Sequence, residues 1–207
     1  MSELKKIIRK GEGVTLDFKF RIDDQKKIAR TLAAFANSKG GKLLIGIKDS
    51  GKIAGCDPEE EFYMIDGAAN VFCNPPVKIL SKVWQEDHHL VLEIDVPMSD
   101  EKHKAKDEGG EWKFYHRLED QTLIGNRIVY LLWKFSEEGN LRPEKFDEEV
   151  LDFIQLIKEH EPVTISKLFR MSPLKKNRVN HLIATLIHWN VIERKILDSG
   201  IGYSLCE

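Results

Sequence analysis

The sequence contains little cysteine, no long apolar run and no excess of charge of either sign. Its three cysteines, Cys56, Cys73 and Cys206, are odd in number and lack CxxC spacing, which argues against a disulfide framework and a cysteine-rich zinc site. The longest apolar run, near residues 43–47, is much shorter than the roughly 20 residues that span a bilayer. Because the first residues also lack the apolar core of a secretory signal, we expect a soluble, cytoplasmic protein.

The charges are nearly balanced, with 32 Lys and Arg against 34 Asp and Glu and a formal net charge of -2. This balance excludes binders of the histone type, whose whole surface is basic, and leaves a local basic patch as the feature to look for. Apolar residues make up 42% of the 207 positions, which is too many for a disordered chain and enough for a packed core. The length predicts one large domain or two small ones.

Residues 1–140 show the patterns of an α+β domain with a mixed or antiparallel sheet. Alternation over residues 14–21 predicts a half-buried strand, and Asp23 or Asp24 is placed to begin a helix that ends near Gly40. The other predicted elements are strands over 42–48, 77–84, 89–96 and 112–117, a helix that begins at Asp57-Pro58, and a helix over 125–135 that packs back on the sheet.

Residues 141–207, which follow a linker-like segment at 139–143, are predicted to form a winged helix-turn-helix domain. Apolar stripes predict three helices, the last of which begins at Ser172-Pro173, and two strands predict a closing hairpin. Three helices followed by a two-stranded hairpin are the layout of that fold. Because each side of the linker has its own apolar stripe, we expect the fragment 144–207 to fold alone.

The last predicted helix carries the candidate nucleic-acid-binding residues. Its apolar stripe leaves the opposite face to polar and small side chains, and the segment from Lys167 to Arg178 holds five cations and no acid. Cations neutralise phosphates, while amides and histidine reach base edges. The alternative is a solvated face on a module that contacts other proteins. The candidates are Lys167, Arg170, Lys175, Lys176, Asn177, Arg178, Asn180 and His181, with Ala184 as the small residue on the same face.

Three acidic residues of the first region form a candidate metal site. Glu12 follows a glycine, Asp17 lies on the polar face of the first predicted strand, and Asp49 lies at the end of another. If these strands are neighbours, Asp17 and Asp49 approach each other, and clustered carboxylates bind a divalent cation that activates water for phosphodiester cleavage. The metal would be Mg²⁺ or Mn²⁺, and Lys19 or Arg21 would neutralise the phosphate. The alternative is that all three acids are solvated.

A set of motifs in the first region is specific enough to indicate a family. The motifs are Gly11-Glu12, Leu16-Asp17-Phe18-Lys19, the block 28–41 with Ala-Phe-Ala-Asn-Ser-Lys-Gly-Gly, the block 44–55 with Ile-Gly-Ile-Lys-Asp, and Tyr115-His116-Arg117. Together they resemble the Schlafen AlbA-like domain over roughly residues 3–125. The resemblance implies an AlbA-like fold that binds nucleic acid, or ATP as a cofactor.

The resemblance also implies two kinds of activity. Some Schlafen proteins are metal-dependent ribonucleases, and their three acids match Glu12, Asp17 and Asp49 here. Bacterial members often join the domain to a helix-turn-helix and resemble transcription regulators. In this chain Asp17 replaces the usual glutamate. The nuclease members pair two AlbA-like lobes in one chain, whereas this chain has one. A homodimer would therefore be needed to reproduce that paired arrangement.

The segment Asn37–Gly41 permits two interpretations. A helix end followed by Gly-Gly satisfies a tight turn, in which one glycine takes a positive φ. Alternatively, the bare backbone lets a phosphate approach. The GxxxxGK[ST] spacing of a phosphate-binding loop is absent, so the turn is favoured and ATP binding depends on the resemblance alone.

Three functions remain open at the level of sequence. The leading hypothesis is a DNA-binding transcription regulator that contacts duplex DNA, with RNA as the other possible nucleic acid. The second is a metal-dependent endoribonuclease that uses Glu12, Asp17 and Asp49, so whether the chain is an enzyme stays undecided. The third is a sensor whose first domain binds a nucleotide or a protein.

Overall fold

The computed structural model describes residues 1–139 and 141–206, so Asn140, at the predicted domain boundary, and Glu207 lie outside the described residues. The chain divides into two compact units, an N-terminal unit of Met1–Ile124 and a C-terminal unit of Gly125–Glu207. In the described part of the chain, no helix is both long and apolar enough to cross a bilayer.

The N-terminal unit combines helices with short strands. Its helices are α1 (Glu3–Ile8), α2 (Gln25–Ala36) and α3 (Pro58–Val71). Its strands are β1 (Leu16–Lys19), β2 (Gly41–Ile45), β3 (Cys73–Asn74), β4 (Leu80–Glu86), β5 (His89–Val96), β6 (Lys104–Lys106), β7 (Trp112–Leu118) and β8 (Gln121–Ile124).

Two of these helices begin at the residues that the sequence predicts. The Asp24 side chain accepts hydrogen bonds from the first backbone N–H groups of α2. The Asp57 side chain does the same for α3, and Pro58 occupies the first helical position. These caps satisfy N–H groups that have no partner within the helix, which is why acids and proline are favoured there.

The strands of the N-terminal unit form two sheets. One has the order β1-β2-β5-β4, in which β1 and β2 run parallel and the other neighbours are antiparallel. The second has the order β3-β6-β7-β8, and its strand pairs are antiparallel. A mixed sheet combined with helices confirms the predicted α+β fold class.

Helix α2 lies in the larger core of this unit because its inner face is apolar at helical spacing. Ile28, Leu32 and Phe35 of α2 are buried in the same cluster as Leu43 of β2. The next residue of β2, Leu44, belongs to a separate cluster that includes α1. Since successive side chains of a strand point to opposite faces, the mixed sheet is buried on both faces.

The C-terminal unit contains helices and a small antiparallel sheet of order β10-β11-β9. Its elements are α4 (Arg127–Glu138), α5 (Glu148–His160), β9 (Val163–Thr164), α6 (Ile165–Met171), α7 (Lys176–His188), β10 (Ile192–Leu197) and β11 (Gly200–Leu205). The helices and the hairpin that the sequence predicts are present in the predicted order. Classification of this unit as a winged helix-turn-helix stays a prediction.

Helix α4 lies in the C-terminal unit, whereas the sequence pattern assigned it to a first domain ending at residue 140. Its buried residues Ile128, Leu131 and Phe135 belong to the same core as those of α7. The physical reason for the difference is that an apolar stripe shows that a helix must pack but does not identify its partner. The predicted boundary therefore falls inside this unit, after its first helix.

The start of α7 also differs from the sequence pattern. Ser172 was predicted to begin this helix, but it accepts a hydrogen bond from Leu174 N–H in the preceding turn. The helix itself begins at Lys176, with Lys175 as its N-cap. Both Ser-Pro and Asp-Pro pairs begin turns as well as helices, so the local pattern could not separate the two.

Candidate functional site

Glu12 and Asp17, two of the three predicted metal-binding acids, lie together at the edge strand β1. The Glu12 carboxylate accepts a hydrogen bond of 2.8 Å from the Phe18 N–H, and its side chain is hydrogen bonded to that of Asp17. Burial, followed by this hydrogen bond to Asp17, raises the pKa of Glu12. Glu12 therefore keeps its proton to a higher pH than an isolated glutamate does.

Two cations of the protein neutralise Asp17. One carboxylate oxygen lies 2.8 Å from Lys19 Nζ, and the other lies 3.2 Å from Arg117 Nη1. Burial alone would raise the pKa of Asp17, but the hydrogen bond with Glu12 and the contacts of Lys19 and Arg117 outweigh burial and lower it. The carboxylate is therefore ionised, and its charge is balanced within the unit.

Arg117 of β7 joins the two sheets of the N-terminal unit, a role that sequence reasoning missed. Its side chain is only 1% exposed. It contacts Asp17 on β1 and donates a hydrogen bond of 2.7 Å to the Gly13 carbonyl oxygen. The signal in the sequence was the Tyr-His-Arg motif, which did not identify a partner 100 residues earlier in the chain.

Asp49 does not join this cluster. Strands β1 and β2 are neighbours, as the metal-site hypothesis required, but the residue paired with Asp17 is Leu43, and Asp49 lies exposed in the turn that follows β2. Among residues 1–139 and 141–206, no group of three His, Cys, Asp or Glu side chains is arranged to hold a metal ion. Because two cations already neutralise Asp17, these residues do not fit an Mg²⁺ or Mn²⁺ site, and no metal-dependent step follows from them.

The two cations predicted to neutralise a scissile phosphate lie in different surroundings. Lys19 Nζ donates hydrogen bonds of 2.8 Å to Asp17 and to the Phe18 carbonyl oxygen. Arg21 lies exposed beyond the end of β1. The Lys19 ammonium is therefore paired with protein oxygens, although its side chain is partly exposed to solvent.

Asn37, at the end of α2, has a structural role. Its side chain donates hydrogen bonds of 2.8 Å to the carbonyl oxygens of His103 and Tyr115, and it accepts one of 2.9 Å from the His103 N–H. Three good hydrogen bonds leave little capacity for a ligand, because an amide side chain has two donors and one acceptor group. Asn37 thus connects α2 to the second sheet.

The two glycines that follow pack against protein atoms. Gly40 has a φ of +69°, and a Cβ added there would lie 2.8 Å from the Val96 carbonyl oxygen. A Cβ at Gly41 would overlap the ring of Phe35. Glycine is therefore required by the turn and by close packing, as the turn interpretation expects.

The start of α7 is an exposed and cationic helix terminus. Lys175, Lys176 and Asn177 are exposed, and the Lys176 ammonium lies 5.6 Å from the centre of the Phe169 ring. The first turn contains no acid, and the N-cap residue Lys175 gives the helix no side-chain hydrogen bond. The unsatisfied N–H groups and the helix dipole favour an anion at this position.

The other candidate cations differ in how available they are to a ligand. Arg178 is paired with Glu149 of α5, with nitrogen–oxygen distances of 2.5 and 2.7 Å. On α6, Arg170 is exposed and Lys167 is half-buried. Arg178 is therefore already paired within the protein, whereas Arg170 is presented to solvent.

Asn180, His181 and Ala184 are less accessible than the sequence predicted, because α4 packs over this part of α7. Ala184 is fully buried, and the half-buried His181 ring meets Phe135 of α4 edge to face at 5.3 Å. Burial, and then nearby arginine charges, lower the pKa of His181, so its imidazole is neutral at physiological pH. The exposed part of α7 is therefore restricted to its beginning.

The charges of the C-terminal unit are segregated along the chain. Residues 125–164 contain five Lys or Arg and nine Asp or Glu, whereas residues 165–197 contain seven and one. The second segment includes α6, α7 and β10. A surface potential arises from such local excess and not from the net charge of the whole chain.

Comparison with known proteins adds a family match to this geometry. The family model described as Schlafen, AlbA_2 matches residues 12–124. No curated protein matches the chain.

Two solved structures are similar to this chain at low identity. A crystal structure of a Corynebacterium diphtheriae protein is 17% identical, with a TM-score of 0.45 over 91% of this chain, and the chain spans only 34% of that protein. The solution structure of the N-terminal domain of a RecG-related protein from Nitrosomonas europaea is 22% identical, with a TM-score of 0.41 over 55% of this chain and 82% of that domain.

Proposed function

This chain belongs to the Schlafen AlbA_2 family, and from that premise we propose that it binds nucleic acid and contacts duplex DNA with the beginning of α7. The observation that carries the proposal is the exposed, acid-free first turn of α7, which bears Lys175, Lys176 and Asn177. Lysines supply phosphate contacts, and an amide at the start of a helix reaches base edges.

The restricted exposure of α7 agrees with this mode of binding. Recognition helices contact bases mainly through their N-terminal residues, and this is the part of α7 that α4 leaves uncovered. Duplex DNA is favoured over duplex RNA, because a helix fits the major groove of B-DNA but not the deep, narrow groove of A-form RNA.

Transcription regulation is the finer form of this proposal. A regulator needs a unit that reads DNA joined to a unit that responds to a signal. The division of this chain into two compact units agrees with that requirement. If the protein acts as a homodimer, we expect its target to contain two half-sites about one helical turn apart. A footprint covering a single half-site would indicate a monomer on DNA.

The test is binding of a mixed-sequence duplex to the full chain, measured by fluorescence anisotropy at two or more salt concentrations. We expect the double change Lys175→Ala with Lys176→Ala to weaken binding about tenfold. The loss of two phosphate contacts should also reduce the slope of log affinity against log salt by about 1.8.

A matched control removes the same charge elsewhere in the C-terminal unit. Lys145 and Lys158 are exposed and lie outside α6 and α7, so the change Lys145→Ala with Lys158→Ala should leave both affinity and salt slope unaltered. Equal effects of the two double changes would show that only overall charge matters. Affinity without any salt dependence would refute phosphate contact.

A further inference from the structure

A cavity of about 510 Å³ lies in the N-terminal unit. Its walls come from α2, from β7 and β8, and from the loop before β7. The polar side chains that line it are Lys27, Arg30, Thr31, Tyr115 and Thr122, together with acids of the loop. Its volume is in the range of small-ligand sites, roughly 300 to 1,000 Å³.

The guanidinium of Arg30 is poorly satisfied by the protein. Its Nε donates a long hydrogen bond of 3.4 Å to the Lys106 carbonyl oxygen, and its Nη1 lies 3.6 Å from a Glu108 carboxylate oxygen. Its Nη2 is buried and has no hydrogen-bond partner among the described residues. An arginine side chain that is 18% exposed and has five N–H donors should be better paired than this.

Further donors surround Arg30. Lys27 lies three residues before Arg30 on α2, a spacing that makes the two side chains neighbours on the helix surface, and the Thr31 side chain lines the same cavity. The Thr122 hydroxyl accepts from Arg117, so its own hydrogen is available to donate. Burial raises the pKa of Tyr115, which keeps its hydroxyl protonated. The cavity therefore presents cations and hydroxyl donors together.

Two acids also line the cavity, but neither satisfies Arg30. The Asp107 carboxylate accepts a hydrogen bond of 2.8 Å from the Glu111 N–H and so holds the loop turn. The Glu108 side chain is 82% exposed and reaches Arg30 only at 3.6 Å. An exposed ion pair of this length contributes little, so an external oxyanion can replace Glu108.

We propose that this cavity is a binding site for a phosphate group, held by the Arg30 guanidinium with Lys27 beside it. A phosphate accepts the two parallel N–H bonds that a guanidinium offers and forms charge-assisted bonds with each. Such a ligand would pair the donors that Arg30 leaves unused. Glu108 occupies the mouth as a weak competitor for the same cation.

The test is titration of the full chain with inorganic phosphate, followed by calorimetry or by NMR shifts of the α2 amides. We expect Arg30→Lys, which keeps the charge but removes the two parallel N–H donors of the guanidinium, to weaken binding about tenfold. Glu108→Gln should tighten binding by roughly twofold to fivefold, because an exposed competing charge is removed. Glu111→Gln, an exposed acid of the same loop, is the matched control and should match the wild type.

The proposal is overturned if the wild-type chain shows no saturable phosphate binding, if Glu108→Gln keeps wild-type affinity, or if a folded Arg30→Lys chain does. The Glu108 change is at an exposed position, so it tests the site even where Arg30→Lys disturbs folding. The Lys175→Ala with Lys176→Ala chain should bind phosphate normally, which separates failure at this site from failure of the DNA proposal.

Two sources of the phosphate are distinguished by further titrations, carried out in the Lys175→Ala with Lys176→Ala chain. If adenosine monophosphate competes with inorganic phosphate, and this competition depends on Arg30, the ligand is a free nucleotide. If the mononucleotide does not compete but a short single-stranded oligonucleotide competes in an Arg30-dependent way, the ligand is a backbone phosphate of nucleic acid. Arg30-independent binding of both probes overturns the proposal.

Discussion

The two units of the molecule have almost equally balanced charge, but the carboxyl cluster of the first and the start of α7 in the second use it in opposite ways. The N-terminal unit contains 20 Lys and Arg and 22 Asp and Glu, and the C-terminal unit contains 12 of each. In the N-terminal unit, Asp17 is neutralised by Lys19 and Arg117. At the start of α7, by contrast, Lys175 and Lys176 are exposed in an acid-free turn.

This difference shows that a count of charges does not locate a binding surface. A buried carboxylate and guanidinium cost free energy to desolvate, so each needs a partner inside the protein and little is left for a ligand. Exposed lysines keep their hydration and can exchange it for phosphate. Charges that the fold has already paired support stability, and unpaired surface charges support binding.

The largest effect is expected from dividing the chain at the boundary that the sequence pattern indicates. Residues 144–207 lack α4 and therefore lose Ile128, Leu131 and Phe135 from the core. Each large buried side chain contributes about 2 to 5 kcal/mol, and a small domain has only about 5 kcal/mol in total. We expect the fragment 125–207 to unfold cooperatively and 144–207 to lack a cooperative transition.

Thermal and urea unfolding, followed by circular dichroism, measures this difference. Phe135→Ala removes only part of the contribution of α4 to this core. In the fragment 125–207 it should lower the unfolding free energy by about 3 kcal/mol. A cooperative transition in 144–207 with the midpoint of 125–207 would show that α4 does not belong to this core.

The next effect sharpens the contrast between paired and unpaired charge. Arg117→Ala leaves the buried Asp17 carboxylate without its guanidinium, and we expect the unfolding free energy of the N-terminal unit to fall by about 3 kcal/mol. DNA affinity should be unchanged, because this ion pair lies in the other unit. Urea unfolding and fluorescence anisotropy provide the two measurements.

Lys19→Ala is the control for the same carboxylate. Its side chain is 39% exposed, so its loss should cost less than about 1 kcal/mol. Equal destabilisation by Lys19→Ala and Arg117→Ala would contradict the expectation that the buried guanidinium contributes more to stability than the partly exposed lysine.

The smallest effect concerns the pH dependence of the Glu12–Asp17 pair. The pKa of Asp17 is lowered from its ordinary value of 3.8, so its stabilisation is present above that value and is lost as pH falls through the lowered pKa. The pKa of Glu12 is raised from 4.5, so the folded unit loses stability as pH rises from 4.5 through the raised value.

Glu12→Gln removes the loss of stability that comes from ionisation of Glu12. The amide that it introduces can still accept a hydrogen bond from the Phe18 N–H and can donate one to Asp17. We therefore expect Glu12→Gln to be at least as stable as the wild type near neutral pH, with a flatter profile above pH 4.5. Urea unfolding at several pH values checks this. Destabilisation near neutral pH as large as that of Asp17→Asn would mean that the ionised Glu12 is the stabilising form.

Several features of the site were predictable because they depend on short stretches of sequence. The Asp57-Pro58 helix start is local chemistry that a few residues determine. The acid-free run that ends at the beginning of α7 is visible in the same way. The cover that α4 places over His181 was not predictable, because no local pattern states which helix packs on which.

By itself, the sequence determined the α+β class, the main strands and helices, the family and the position of the cationic segment, because periodicity, capping residues and motifs act over a few neighbouring positions. Only the tertiary structure decided that Arg117 meets Asp17, that no three acids of the described residues are grouped to hold a metal, and that Arg30 lines a cavity without a good partner. These outcomes depend on contacts between residues far apart in the chain. Such contacts form only where the whole packing arrangement brings the side chains within reach of one another.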